Sequence, residues 1–247
     1  PTGRKQLMLV SEDSAIASSR SAYLSTVKQL DDAGKLEDDW AVNKRVEVIT
    51  GMLVTEAIKM RPETANWEWS VVVIDDPETI NAWCMAGGRM AIYTGLITKL
   101  DPTDDELAQV MAHEIAHALA NHTAEKMSMQ IATSVGVAAV GVAADNSGVA
   151  LSGAALTAML AVNLPNSRAA ETEADRIGIE LAAKAGFDPA AAATLWQKMG
   201  KASKSNPPQF LSTHPAPTNR QEELAQLEPE MRKYYDPNSS HPIYKLD

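Results

Sequence analysis

The segment Met111-Ala112-His113-Glu114-Ile115-Ala116-His117 sets two histidines four residues apart with a glutamate between them. A helix brings both imidazoles to one face, because its 3.6-residue period stacks residues four apart about one turn from each other. Glu114 is then rotated about 100° from His113. It cannot easily share a ligand shell with the imidazoles, but it can reach a water held beside them. The flanks agree with a helix. Thr103 or Asp101 can cap it, and Asp104, Asp105 and Glu106 fall where the helix dipole favours acids. Ala108, Met111, Ala112, Ile115 and Leu119 repeat on its apolar side. The pattern predicts one helix running from about 103 to about 129. Ionisable groups in so apolar a segment are costly unless they share a partner. HExxH is the spacing with which a helix holds zinc through two histidines and keeps a glutamate as general base.

A catalytic zinc needs a third protein ligand and an open position. His122 is nearest, but on an unbroken helix it lies about 180° round from His113. That marks it as a surface or structural residue. Downstream, Ala170-Glu171-Thr172-Glu173-Ala174-Asp175 puts Glu171 and Asp175 on one helical face, with Glu173 pointing elsewhere. One carboxylate can bind the metal while the other accepts the N–H of a ligand histidine and fixes its tautomer. The expectation is one Zn2+ per chain on His113, His117 and Glu171, with Asp175 behind a histidine. A solvated acidic helix face is the bland alternative, and it leaves the HExxH without a purpose.

The formal net charge of −10 argues against a nucleic-acid partner, whose binding rests on Lys and Arg, and against docking on anionic lipid. With 247 residues and 45% hydrophobic content, the chain reads as a single unit over 1–247. Within it lie an N-terminal arm (1–13), an apolar segment (131–165) and a Pro-rich loop (201–219). Periodicity predicts further helices over 14–32, 41–61, 167–185, 189–199 and 220–234, and strands over 67–75 and 89–94. The fold class is α+β, mostly helical. Each apolar stretch inside 131–162 is about 14 residues long, short of the roughly 20 that a membrane span needs. They read as packed helices or loops. The lone Cys84 makes no internal disulfide and reads as a buried free thiol.

LAQVMAHEIAHALANH (107–122), SRAAETEADRIG (167–178) and STHPAPTNR (212–220), in that order, resemble the HtpX and CAAX prenyl endopeptidase family of zinc metallopeptidases. The likeness is to its soluble periplasmic lipoprotein branch (LoiP/YcaL/BepA-like). It implies a gluzincin-type zincin fold with a small sheet whose edge strand binds substrate. NAWCMAGGRMAIYTGLI (81–97) resembles that family's substrate-strand segment, so Gly88, Arg89, Met90, Ala91, Ile92 and Tyr93 are the expected substrate-binding residues. The resemblance makes His113, His117 and Glu171 the ligands, Glu114 the catalytic base and Asp175 a partner behind the ligands. It also draws in His214 and Arg220. Two roles are open to His214: a hydrogen-bond donor to the oxyanion, which is the expected one, or a fourth ligand that displaces water. The implied function is a zinc-dependent endopeptidase acting on unfolded or misassembled proteins. The alternative is a chaperone-like or scaffold protein with little turnover, against which the intact Glu114 argues. Pro1–Leu7 resembles the stretch after a lipidated cysteine. This implies the bacterial periplasm and a membrane tether through a removed N-terminal lipid anchor.

Overall fold

A computed structural model describes residues 2–142, 165–203, 208–215 and 219–247. Two long helices, α1 (Glu12–Asp32) and α2 (Trp40–Met60), start on side-chain caps from Ser11 and Asp39. Three short strands follow: β1 (Ser70–Ile74), β2 (Ala82–Cys84) and β3 (Arg89–Tyr93). Then come α3 (Thr94–Leu100), α4 (Asp104–Leu119) and α5 (His122–Val142). After these come α6 (Arg168–Lys184), α7 (Ala191–Ala202), α8 (Gln209–Thr213) and α9 (Arg220–Met231), then a 3-10 turn (Arg232–Tyr234) and a tail to residue 247. The architecture is mostly helical around a small mixed sheet. Among the described residues, no helix is long and apolar enough to cross a membrane. The expected apolar segment is helical as far as Val142, and its residues 143–164 lie outside the described ones. The Pro-rich loop holds the short helix α8, and its residues 204–207 and 216–218 also lie outside.

The strand order is β1-β3-β2, with β1 parallel and β2 antiparallel to β3. This corrects the expected edge. Gly88 to Tyr93 cannot offer a free strand, because β3 is central and its backbone is paired on both sides. Among the described residues the edge beside α4 that carries no further strand is that of β2, whose three residues are buried and whose Ala82 N–H donates to Asn81 Oδ1 at 3.0 Å. Met85 N–H donates to the Arg89 carbonyl (2.9 Å) and Tyr93 N–H to the Asn81 carbonyl (3.1 Å). By the alternation of an antiparallel pair, the backbone groups of Ala82 and Cys84 then face away from β3. The turn between these strands runs through Gly87 (φ 86°) and Gly88 (φ 84°). A Cβ on Gly88 would also meet the Trp69 ring at 2.5 Å.

Helix α4 is the axis of the core. A capping box fixes its start: Thr103 Oγ1 accepts from Glu106 N–H, and the Glu106 carboxylate accepts from Thr103 N–H. Every residue from Glu106 to Leu119 is buried. Small side chains on α4 let α2, α6, α7 and β2 close around it. The large buried side chains Leu53, Trp69, Met90, Ile92, Leu107, Met111, Ile115 and Leu181 fill the space between.

The approach of α6 is the closest constraint on the site. A Cβ built on Gly178 lies 3.0 Å from both Cα and N of His113. Those atoms are mid-helix backbone, so Gly178→Ala must shift α6 away from α4 by a few tenths of an ångström. The expected cost is about 1–3 kcal/mol. Chemical denaturation checks it, and an unchanged midpoint would show that α6 slides freely.

The predicted single helix over 103–129 is two. Asn121 takes a left-handed conformation (φ 57°) between Leu119 and His122. Asn tolerates that region better than most residues. The chain changes direction there, so angles counted along one helix fail beyond residue 120.

Candidate metal centre

Helix α4 supplies His113, Glu114 and His117. Helix α6 supplies Glu171 and Asp175, one turn apart. Ser167 caps α6 by accepting from Ala170 N–H, which places Glu171 in its first turn. His214 is the C-cap of α8, and Arg220 opens α9. These side chains are buried or nearly so.

The imidazole nitrogens face one another. His113 Nε2 is 3.0 Å from His117 Nε2 and 3.3 Å from His214 Nδ1. The Glu171 carboxylate is 3.3 Å from Nε2 of both His113 and His117, and 3.0 Å from Nδ1 of His214. Donor atoms of these four residues lie within 4.8 Å of one another, a group able to hold a metal ion. Behind it, Asp175 Oδ1 is 3.1 Å from His113 Nδ1. Arg220 joins Glu171 at 3.0 Å and Asp175 at 2.5 Å, with its guanidinium 3.9 Å from the Trp196 ring centre.

Charge is tightly coupled here. Burial opposes ionisation of Glu171, but His117 and His113 together hold its carboxyl well below the usual range. Burial lowers His117 strongly. His113 also feels burial, yet its hydrogen bonds to Asp175 and Glu171 raise it to about 9. Burial raises the Glu114 carboxyl and the Cys84 thiol.

Two features were not foreseen. His122 is buried, not on the surface: the bend at Asn121 turns it back, with its Nδ1 2.7 Å from Nδ1 of His117. Asn166 has its amide nitrogen 3.4 Å from His117 Nε2 and 3.2 Å from His214 Nδ1. The Asn at position 121 was a readable signal for the first; nothing in the sequence pattern marked the second. The space bounded by Cys84, Glu114, His117 and His214 is about 20 Å³, room for about one water.

The residues fit zinc. Two imidazole Nε2 atoms and a carboxylate converge, the donor types of catalytic zinc sites. Beside them, Glu114 Oε1 is fully buried and makes no hydrogen bond among the described residues, with His214 Nε2 3.4 Å away; it lies where an acceptor for a reacting water belongs.

Fold and site are those of a metallopeptidase built on an HExxH helix with its third donor on a following helix. The chain belongs to peptidase family M48, whose model matches residues 41–228. It is 31% identical to the mitochondrial metalloendopeptidase OMA1 of Bos taurus over 98% of this chain and 48% of that protein. Against the Schizosaccharomyces pombe OMA1 it is 37% identical over 76% of this chain and 52% of the relative. The beta-barrel assembly-enhancing protease of Escherichia coli is 30% identical over 78% of this chain and 40% of its own length. The chain spans about half the length of the curated relatives it matches first. The comparisons carry the family; they do not carry the periplasmic lipoprotein branch, because relatives named OMA1 are mitochondrial.

Proposed function

We propose that this chain is a zinc-dependent endopeptidase that cuts extended segments of unfolded or misassembled proteins. The observation that carries this reading is the meeting of His113, His117 and Glu171 beside a buried Glu114 oxygen that makes no hydrogen bond among the described residues and has His214 Nε2 3.4 Å away. His113, His117 and Glu171 would hold the ion, and Asp175 would orient His113 through its Nδ1–H. When bound, zinc supplies a Lewis acid and acidifies water near neutral pH. Glu114 takes the proton of the attacking water and delivers it to the leaving amine. Its pKa, raised by burial, suits a group that must both accept and return a proton. Arg220 fixes the ligand carboxylate and Asp175 in one orientation.

An extended substrate would pair with the outward backbone groups of Ala82 and Cys84 on β2, which packs against α4, displacing Asn81 Oδ1 from the Ala82 N–H. Backbone pairing tolerates many side chains, which supports selection by unfoldedness. The bacterial periplasm rests on the resemblance to the lipoprotein branch and the N-terminal lipid anchor on the likeness of Pro1–Leu7 within it; labelling of the protein expressed from its whole gene with a radioactive fatty acid tests the anchor.

His214 sits where a fourth donor would, stacked on Phe210 at 4.2 Å. A four-donor shell is the arrangement of a structural zinc site. This favours the fourth-ligand role over the oxyanion donor. His214→Ala is therefore expected to raise the cleavage rate. A competent state about a tenth populated would gain about tenfold. A fall in rate at unchanged zinc content would instead assign His214 to the oxyanion.

The test of the proposal is cleavage of an unfolded protein by the zinc-loaded chain, read by mass spectrometry of new termini. Cut peptide bonds that disappear on chelation are the expected result. Binding without cuts would favour the chaperone-like alternative.

A further inference from the structure

The two histidines of the HExxH are supported differently. His113 Nδ1 meets a carboxylate directly, at Asp175. His117 Nδ1 meets another imidazole. His122 is 1% exposed, with Nδ1 2.7 Å from His117 Nδ1 and Nε2 3.1 Å from Glu173 Oε2. Glu173 in turn accepts hydrogen bonds from Thr2 Oγ1 and from Arg4 Nε at 2.5 Å. Arg4 also reaches Glu125 through Nη1 at 2.7 Å, and Gln6 donates to the Ala120 carbonyl at 2.8 Å. The N-terminal arm is thus bound across the start of α5 and the first turns of α6.

We infer that His122 is a positioning residue for the metal ligand His117, held by Glu173, and that Arg4 of the N-terminal arm completes this relay. The inference rests on the zinc site proposed above. Proton placement follows from that site. For Nε2 of His117 to offer its lone pair to a cation, Nδ1 must carry the hydrogen. That N–H can donate only to an unprotonated Nδ1 of His122. The remaining hydrogen of His122 is then on Nε2, where it donates to Glu173. Glu173 is left to accept from Thr2 and Arg4. Each bond in the chain has one donor and one acceptor, and no proton is transferred. A segment more than a hundred residues upstream in sequence thereby sets the orientation of a ligand.

The test measures zinc affinity by competition with a chromophoric chelator, and the visible spectrum of the cobalt-substituted chain. His122→Ala should weaken zinc by about 10–100-fold and shift the cobalt bands. His122→Asn, whose amide oxygen can accept near the lost Nδ1, should recover part of both. Arg4→Ala, on a partly exposed arm, should weaken zinc by a smaller factor. Wild-type affinity with unshifted bands in His122→Ala overturns the proposal, and wild-type affinity in Arg4→Ala removes the arm from the relay. Should His122→Ala not fold, wild-type values in both His122→Asn and Arg4→Ala overturn it. Failure of the underlying zinc site looks different: the wild-type chain binds no zinc, or Glu171→Ala binds it as tightly as the wild type.

Discussion

Glu114→Gln should keep its zinc and lose nearly all cleavage. Glutamine has almost the shape of glutamate, and residue 114 is wholly enclosed by α4 and its neighbours, so the fold has no reason to change. The ligands His113, His117 and Glu171 are untouched. What disappears is the group able to take a proton from water and return it to the amine. Loss of a general base typically costs about 10²–10⁴-fold. The check is the turnover number together with the zinc content of the same preparation. A rate within a few-fold of wild type, at full zinc occupancy, would sink the mechanism.

Glu171→Ala is expected to have the largest effect on zinc retention. Glu171 touches His113, His117, His214 and Arg220 at once. Removing it takes away a ligand, an effect beyond the roughly 10–100-fold of residues that act behind one. It also leaves the buried Arg220 with Asp175 alone. Breaking one side of a buried ion pair costs about 3–5 kcal/mol, so the metal-free protein should melt lower too. Zinc analysis after dialysis, with thermal melting in parallel, reads both. Glu173→Ala, which acts only through His122, should weaken zinc less. The reverse order would show that the wrong carboxylate had been assigned.

Much of the site was legible because its parts obey helix arithmetic. His113 and His117 share a face by spacing, as do Glu171 and Asp175; α6 lies close to its expected bounds, and α4 starts where expected but ends at Leu119 instead of about 129. The arithmetic failed where the backbone leaves the helix. At Asn121 one left-handed residue turned His122 from the outside to the inside. The sheet failed for another reason. Strand order is set by three-dimensional packing, and a run such as Arg89–Tyr93 looks the same whether its neighbours lie on one side or both. Asn166 and His214 enter through loop geometry, which no periodicity records. The fitting of Gly178 against the His113 backbone likewise becomes visible only once α4 and α6 are seen in contact.

The donors of the metal centre come from helices separated by a long stretch of chain, and α4 and α6 meet over small residues such as Gly178. An ion shared between them would work as a rivet. It would lock together two helices that are already closely packed, and it would bind the folded form in preference to the unfolded one. If the proposed site holds zinc, the folding equilibrium of the chain is linked by mass action to the free metal, gaining about 2.7 kcal/mol when zinc stands at a hundred times its dissociation constant. In a zinc-poor compartment the same molecule would then be both inactive and easier to unfold, so scarcity of the metal would shorten its lifetime as well as silence it.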